Sequence, residues 1–288
     1  MSVAFLGPRG TFSEVAALER AGSEAATVPF TSFPAVVSAV ETGLADEALV
    51  AVENSIEGPV PTTLDLLIHE TPLRIRGEIV VPIRQFLVTV PGATIDGITV
   101  VVSHPQGLGQ CRRFLERCLP DVEQVAALST AGAVREAIAS GDPRRAAIGH
   151  ARAAELYGGV VLAHDIQDAR SNVTRFLLLG REDAAPTGDD KTSIGFTVKA
   201  NVPGALHAIL TELANESIQM TKIENRPTKG WLGEYVFLVD FEGHRTDPRI
   251  GAMLERIRAV TDSLTVFGSY PRYPLERLRD AADPQPLA

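Results

Sequence analysis

The chain of 288 residues, 45% hydrophobic and 22% charged, holds enough apolar material for two or three compact units without disulfide staples. Its formal net charge of −9 excludes a general nucleic-acid binder, which would carry a basic stripe, and makes any bound anion depend on local Arg, Lys or backbone donors. The longest apolar runs are too short to span a bilayer, and the N-terminus lacks the basic and apolar stretches of a signal peptide, so the protein is expected in the cytoplasm. Cys111 and Cys118 stand seven apart with no CxxC and no His–Cys cluster, which reads as two reduced thiols and no metal site.

In chain order, the run from Ser2 to about Gly180 alternates short β-rich stretches with helical ones. "SVAFLG" precedes "TFSEVAALERAG", "ITVVVS" precedes "PQGLGQCRRFLERCL", and "VEQVAAL" precedes "TAGAVREAIASG". Such alternation predicts an α/β fold with mainly parallel sheets. The paired apolar run at residues 73–90 interrupts it and reads as a crossing between two lobes. "GREDAAPTGDDK" has no apolar periodicity and reads as a linker, placed at residues 182–191. Residues 192–273 then spell strand, helix, strand, strand, helix, strand, the βαββαβ order of a ferredoxin-like plait, with Asn201 near a helix cap and Pro203 in the first turn. A tail follows at residues 274–288.

Four polar clusters sit at loops beside strands. "GPRGTFSE" opens a helix, where N–H groups with the Thr11 and Ser13 hydroxyls suit an anion; it also reads as a capped turn, with Glu14 completing a capping box from Thr11. "VENSIEGPVPTTLD" places Asn54 and Ser55 at a strand's C-terminal end, where α/β folds bind ligands, although these are turn formers as well. "SHPQGLGQC" places Ser103 at another strand end and Gln110 two helical turns on; His104, before a proline and without a carboxylate partner in the motif, reads as structural. "SNVTRF" adds Thr174, Arg175 and Phe176 just before an apolar strand. Neutral and cationic donors converging on one cleft suit a small polyanion that loses a leaving group, without a metal, a cofactor or a covalent nucleophile.

These motifs, with "GALHAIL" and "IENRP" further on, resemble prephenate dehydratase in their order over residues 2 to about 273. The resemblance implies a two-lobed catalytic part like a type 2 periplasmic binding protein over residues 1–181, with lobes of roughly 1–82 plus 165–181 and 83–164, followed by an ACT regulatory domain at 192–273. It implies a lyase that converts prephenate to phenylpyruvate with loss of water and carbon dioxide in phenylalanine biosynthesis. Thr174 is then the residue at the departing hydroxyl, Arg175 pairs with a carboxylate, and Asn54, Ser55, Ser103, Gln110, Thr11 and Ser13 line the cleft, with Phe176 near the ring or in the strand. It further implies phenylalanine binding at a subunit interface by Pro203, Gly204, Ala205 and Leu206 with Glu224, Asn225, Arg226 and Pro227, in a homodimer or homotetramer joined through the ACT domain. Asn225 stands where the family usually has Ser, and His207 where an aliphatic residue is common. Two other readings share these residues: an arogenate dehydratase, which would need an acceptor for an ammonium such as Glu53 or Glu57, and a non-catalytic two-lobed amino-acid sensor. With "GPRGTFSE" beginning at residue 7, no chorismate mutase segment is expected on this chain.

Overall fold

The computed structural model describes residues 1–274, so the expected C-terminal tail lies outside the described residues from 275 on. The chain divides into two compact units, one of Met1–Thr63 with Val80–Phe176 and one of Leu64–Ile79 with Leu177–Tyr273.

In chain order the elements are β1 (Val3–Leu6), α1 (Phe12–Ala21), β2 (Thr27–Phe30), α2 (Phe33–Glu41), β3 (Glu47–Asn54), β4 (Gly58–Pro59) and α3 (Pro61–Asp65). A π-helical turn, Leu66–Glu70, leads to β5 (Arg74–Pro82) and β6 (Phe86–Thr89). Then come β7 (Val100–Ser103), α4 (Pro105–Gln110), α5 (Arg112–Cys118), β8 (Glu123–Ala126), α6 (Thr130–Ser140), β9 (Arg145–Gly149), α7 (Ala151–Tyr157), β10 (Val160–Ala163) and β11 (Val173–Gly180). One sheet runs β2-β1-β3-β11-β5 with β4 beside β3, and a second runs β10-β6-β9-β7-β8. β1 is parallel to β2 and β3, and β7 is parallel to β8 and β9. The expectation of mainly parallel pairing is too simple for the second sheet. β6 enters it directly from β5 with no crossover helix, and it runs antiparallel to β9 and β10.

Helix starts follow their caps. Thr11 accepts the Glu14 N–H at 3.3 Å, Ser32 accepts from Ala35, and Ser129 accepts from Gly132. The capping box expected at Thr11 is displaced by one residue. The fully buried Glu14 carboxylate takes the Gly10 N–H at 2.6 Å and Arg9 Nη1 at 2.7 Å, so it organises the loop ahead of the cap. Cys111, between α4 and α5, is buried, and burial with the nearby Asp168 charge pushes its thiol up to about 12; Cys118 is exposed.

The second unit holds β12 (Asp190–Val198), α8 (Ala205–Asn215), β13 (Met220–Pro227), β14 (Tyr235–Glu242), α9 (Pro248–Val260) and β15 (Thr261–Pro271), in a sheet ordered β13-β14-β12-β15. That order is the ferredoxin-like plait. β12 starts inside the stretch expected as linker, because Asp190 gathers Thr187 N (2.9 Å), Thr187 Oγ1 (2.7 Å) and Gly188 N (3.0 Å) into a fixed turn. Both helices cover one sheet face, where Phe196, Val239, Phe241, Ile209, Met253 and Ile257 form the core.

A register shift between Met220 and Lys222 sorts the rest of β13. After it, Ile223, Asn225 and Pro227 lie opposite Val239, Phe237 and Tyr235 on the helix face, and Lys222, Glu224 and Arg226 lie on the other. Segments before and within β5 pack against that second face: Lys191 Nζ is 2.9 Å from Glu78, and Arg226 Nη2 is 2.9 Å from Asp65. At Gly268 the backbones come so close that an added Cβ would sit 2.7 Å from Ile75 N and on top of its carbonyl oxygen. Gly268→Ala is therefore expected to cost about 1–3 kcal/mol by overpacking and to lower the midpoint of thermal unfolding by several degrees; an unchanged midpoint would mean the backbones separate freely.

Candidate active site

The first unit carries an open cavity of about 260 Å³. Its polar walls are Thr11, Ser13, Asn54, Gln85, His104, Gln106, Gln110, Ser129, Thr130 and Thr174. Its apolar walls include Leu6, Phe12, Phe33, Ile83, Leu128 and Phe176. There is no carboxylate, Lys or Arg among these lining residues.

Positive potential comes from the backbone instead. Thr11, Phe12 and Ser13 are the cap and first residues of α1; Ser129 and Thr130 open α6; His104, Gln106 and Gly107 belong to the start of α4. The first N–H groups of a helix have no acceptor within it, and the aligned peptide dipoles favour an anion there. Three helix starts facing one cavity thus offer an anion site without Lys or Arg, although at α4 Pro105 has no N–H and Gln106 gives its own to His104 Nδ1 at 3.2 Å. Phe12 also meets His150 edge-on with ring centroids 5.0 Å apart. Burial holds His150 below the usual imidazole range against the pull of Glu155, and its Nδ1 accepts the Arg152 N–H at 3.1 Å to cap α7.

The centre of the polar wall is a network at the ends of β3 and β11. Asn54 Oδ1 accepts the N–H groups of Ile56 and Glu57, both at 3.0 Å. That fixes its amide orientation and turns Nδ2 toward Asn172 Oδ1 (2.8 Å), Thr174 Oγ1 (2.9 Å) and Val173 O (3.1 Å). Since Thr174 Oγ1 accepts from Asn54, its own proton is left to donate elsewhere.

Of the residues singled out from the sequence, Thr11, Ser13, Asn54, Gln110, Thr174 and Phe176 come together on the cavity. Arg175, Ser55 and Ser103 are not among its walls. Strand alternation puts Thr174 and Phe176 on one side of β11 and Arg175 on the other, where Nη1 lies 3.7 Å from Glu53 Oε2. Ser55 Oγ donates to Ser171 O at 3.2 Å and accepts the Val173 N–H at 3.0 Å, so it ties the β3 end to the approach of β11. Ser103 is fully buried and donates to Ile148 O at 2.7 Å. Four polar walls were missed, Gln85, Gln106, Ser129 and Thr130, and a fifth, His104, which the sequence reads as structural, caps α4 by accepting the Gln106 N–H at 3.2 Å and also lines the cavity. Ser129 and Thr130 carried a readable signal, an N-cap serine ahead of an apolar helix in "LSTAGAV".

On the plait, α8 begins at Ala205 with Gly204 as cap at φ 89°, a left-handed value that calls for glycine. Pro203 precedes the cap instead of sitting in the first helical turn. Leu206 packs against the plait core, and His207 is exposed. Asn225 and Pro227 share the helix face, while Glu224 pairs with Lys222 at 3.2 Å and Arg226 with Asp65 on the opposite face. The residues taken together as an effector cluster therefore divide between two faces.

The family model for prephenate dehydratase matches residues 3–184. The chain is 43% identical over 272 residues to the bifunctional chorismate mutase/prephenate dehydratase of Aquifex aeolicus, a match covering 94% of this chain and 74% of that one. Its fold is similar to the crystal structure of prephenate dehydratase from Arthrobacter aurescens in complex with L-Phe, with a TM-score of 0.87, 36% identity, and coverage of 100% of this chain and 92% of the other. It is also similar to GqqA, described as a novel type of quorum quenching acylase, with a TM-score of 0.86, 31% identity, and coverage of 96% and 100%. The order of its motifs, the strand ends that carry them and these similarities over nearly the whole length agree, and the chain belongs to the prephenate dehydratase family.

Proposed function

We propose that the chain is a lyase that converts prephenate to phenylpyruvate, releasing water and carbon dioxide, under the control of phenylalanine. The observation that carries the catalytic part is the cavity wall: three helix starts and a set of hydroxyls and amides around Thr174, with no carboxylate, Lys or Arg among the lining residues. Prephenate brings two carboxylates and a ring hydroxyl. The helix starts suit the carboxylates, and Phe12, Phe33 and Phe176 suit the ring. Departure of the ring carboxylate as carbon dioxide pushes electrons into the ring as the hydroxyl leaves, and aromatisation drives the step. Thr174 donates a hydrogen bond to the departing oxygen, where charge develops. A carboxylate in the wall would oppose that charge. Arogenate is the poorer fit, because its ammonium needs an acceptor that the wall offers only as neutral oxygens.

The regulatory part rests on the plait and on the L-Phe complex of the similar Arthrobacter aurescens enzyme. In this reading the plait is an ACT domain, and phenylalanine binds beside the start of α8, near Gly204, Asn225 and Pro227. Exposed Val202, Ile223, Trp231, Leu232 and Tyr235 surround the edge strand β13, which suits a homodimer or homotetramer in which a second plait covers them. The same reading takes the enzyme to be cytoplasmic; among the described residues no helix is long and apolar enough to cross a membrane.

The test is an absorbance assay for phenylpyruvate with purified chain and prephenate, with and without phenylalanine, and with arogenate as the competing substrate. Rapid product from prephenate, suppressed by phenylalanine, is expected. Consumption of arogenate alone, or binding of prephenate without turnover, would replace this reading by one of the two others.

A further inference from the structure

We propose that Asn172 is a positioning residue for the reaction: through Asn54 it aims the Thr174 hydroxyl proton into the cavity. The assignment rests on the dehydratase reading. Asn172 is 1% exposed and is not a wall of the cavity, so it acts through another residue.

The Asn54 amide is fixed at its oxygen by two backbone N–H groups, which leaves its Nδ2 two protons for three acceptors. Asn172 Oδ1, at 2.8 Å, is the nearest of the three and takes one of those protons. The other proton is then directed at Thr174 Oγ1, at 2.9 Å nearer than Val173 O at 3.1 Å, and a Thr174 oxygen that accepts leaves its own proton free to point into the cavity it lines. Without the Asn172 acceptor, the Asn54 amide has one fewer reason to keep this rotation.

The second observation is a cost. Asn172 Nδ2 is buried and has no hydrogen-bond partner. An unpaired buried donor opposes folding, and several residues would avoid it. An aspartate there would present the same acceptor with no orphaned donor. It would also set a negative charge beside the hydroxyl that must assist a departing hydroxide. An amide is the side chain that offers a neutral acceptor of this shape, and the orphaned N–H is the consequence.

The experiment uses the full chain with Asn172→Leu and Asn172→Asp, measuring kcat and KM with prephenate across pH. Asn172→Leu is expected to lower kcat about tenfold to a hundredfold with KM changed by less than about threefold, the signature of an interaction made in the transition state. Asn172→Asp is expected to be slow at high pH and to recover as pH falls through the titration of the new carboxyl, which burial raises, because the protonated form is again a neutral acceptor. The wild-type chain is expected to show no such acid-side gain. A purely structural residue would not produce that limb, and the near-isosteric Asp variant carries the test if the Leu variant fails to fold. Both variants keeping wild-type kcat and pH profile would overturn the role of Asn172 while leaving the dehydratase reading intact. A wild-type chain that leaves prephenate unconsumed would overturn the dehydratase reading, and this assignment with it.

Discussion

Thr174→Ala is expected to lower kcat about a hundredfold to a thousandfold while KM for prephenate changes by less than about threefold. The reason is the division of labour in the wall. In the proposed reading the substrate carboxylates sit at the helix starts near Thr11 and Ser129, which line the cavity and which the substitution leaves untouched. The lost hydroxyl interacts with an oxygen whose charge appears only as its bond breaks, so the loss falls on the transition state. The fold has little stake in the side chain: Asn54 Nδ2 keeps Asn172 Oδ1 and Val173 O as acceptors. Thermal unfolding of the variant should therefore match that of the parent, and Thr174→Ser, which keeps the hydroxyl, should restore most of the rate. Near-normal turnover in the Ala variant would remove Thr174 from the chemistry. A KM rising in step with the loss would recast it as a binding residue.

Asp65→Ala is expected to weaken inhibition by phenylalanine at least tenfold while turnover in its absence stays within about twofold. Asp65 ends the helix that begins at Pro61, a few residues past the Asn54 network. Its carboxylate receives Arg226 Nε (3.2 Å) and Nη2 (2.9 Å), with Lys229 Nζ at 3.0 Å. Arg226 adjoins Asn225 in the chain, and the two point to opposite faces of β13. A ligand that moves Asn225 therefore moves the strand that holds Arg226. An effector shifts an equilibrium only by what it feels differently in the two states, and this ion pair is a contact through which the difference can be transmitted. Burial alone would raise the Asp65 pKa, but the hydrogen bonds and charges of Arg226 and Lys229 outweigh it and hold the carboxyl below its ordinary value. The sign for a depressed carboxyl follows: the stabilisation is complete above the unfolded-state pKa and is lost as pH falls through the lower folded-state value. Phenylalanine control should thus persist across neutral pH and fail only in acid. Inhibition curves for parent and variant that overlay would show that the signal travels elsewhere.

What could be read from the sequence had local causes, and what could not depended on pairing. The plait was legible because each of its helices and strands carries its own periodicity. Asn54 and Thr174 were legible as polar residues at strand ends, and Gln110 as one two helical turns past a third, and the structure brings all three to the cavity. Arg175 shows the limit: whether 174 or 175 faces the cavity depends on how β11 pairs within its sheet, which no short window of sequence reveals. The split of Glu224 and Arg226 from Asn225 and Pro227 is plain strand alternation, but which pair faces the helices depends on a register shift that leaves no mark in composition. Ser103 was misplaced for a different reason. A serine at a strand end looks the same whether its hydroxyl faces a ligand or donates to Ile148 O. Asn172 lay inside the quoted "SNVTRF" stretch and was passed over, since burial makes such a residue informative and burial is a property of the folded chain.

The contrast between the two thiols has a practical consequence. A maleimide reacts with the thiolate, and at neutral pH Cys111, buried with its pKa near 12, is almost wholly protonated. Cys118 is exposed, on the last turn of α5. The native chain can therefore be tagged at a single known position without removing any cysteine. A fluorophore or spin label on that helix would report on the unit that holds the cavity as prephenate or phenylalanine is added, in an otherwise unaltered enzyme.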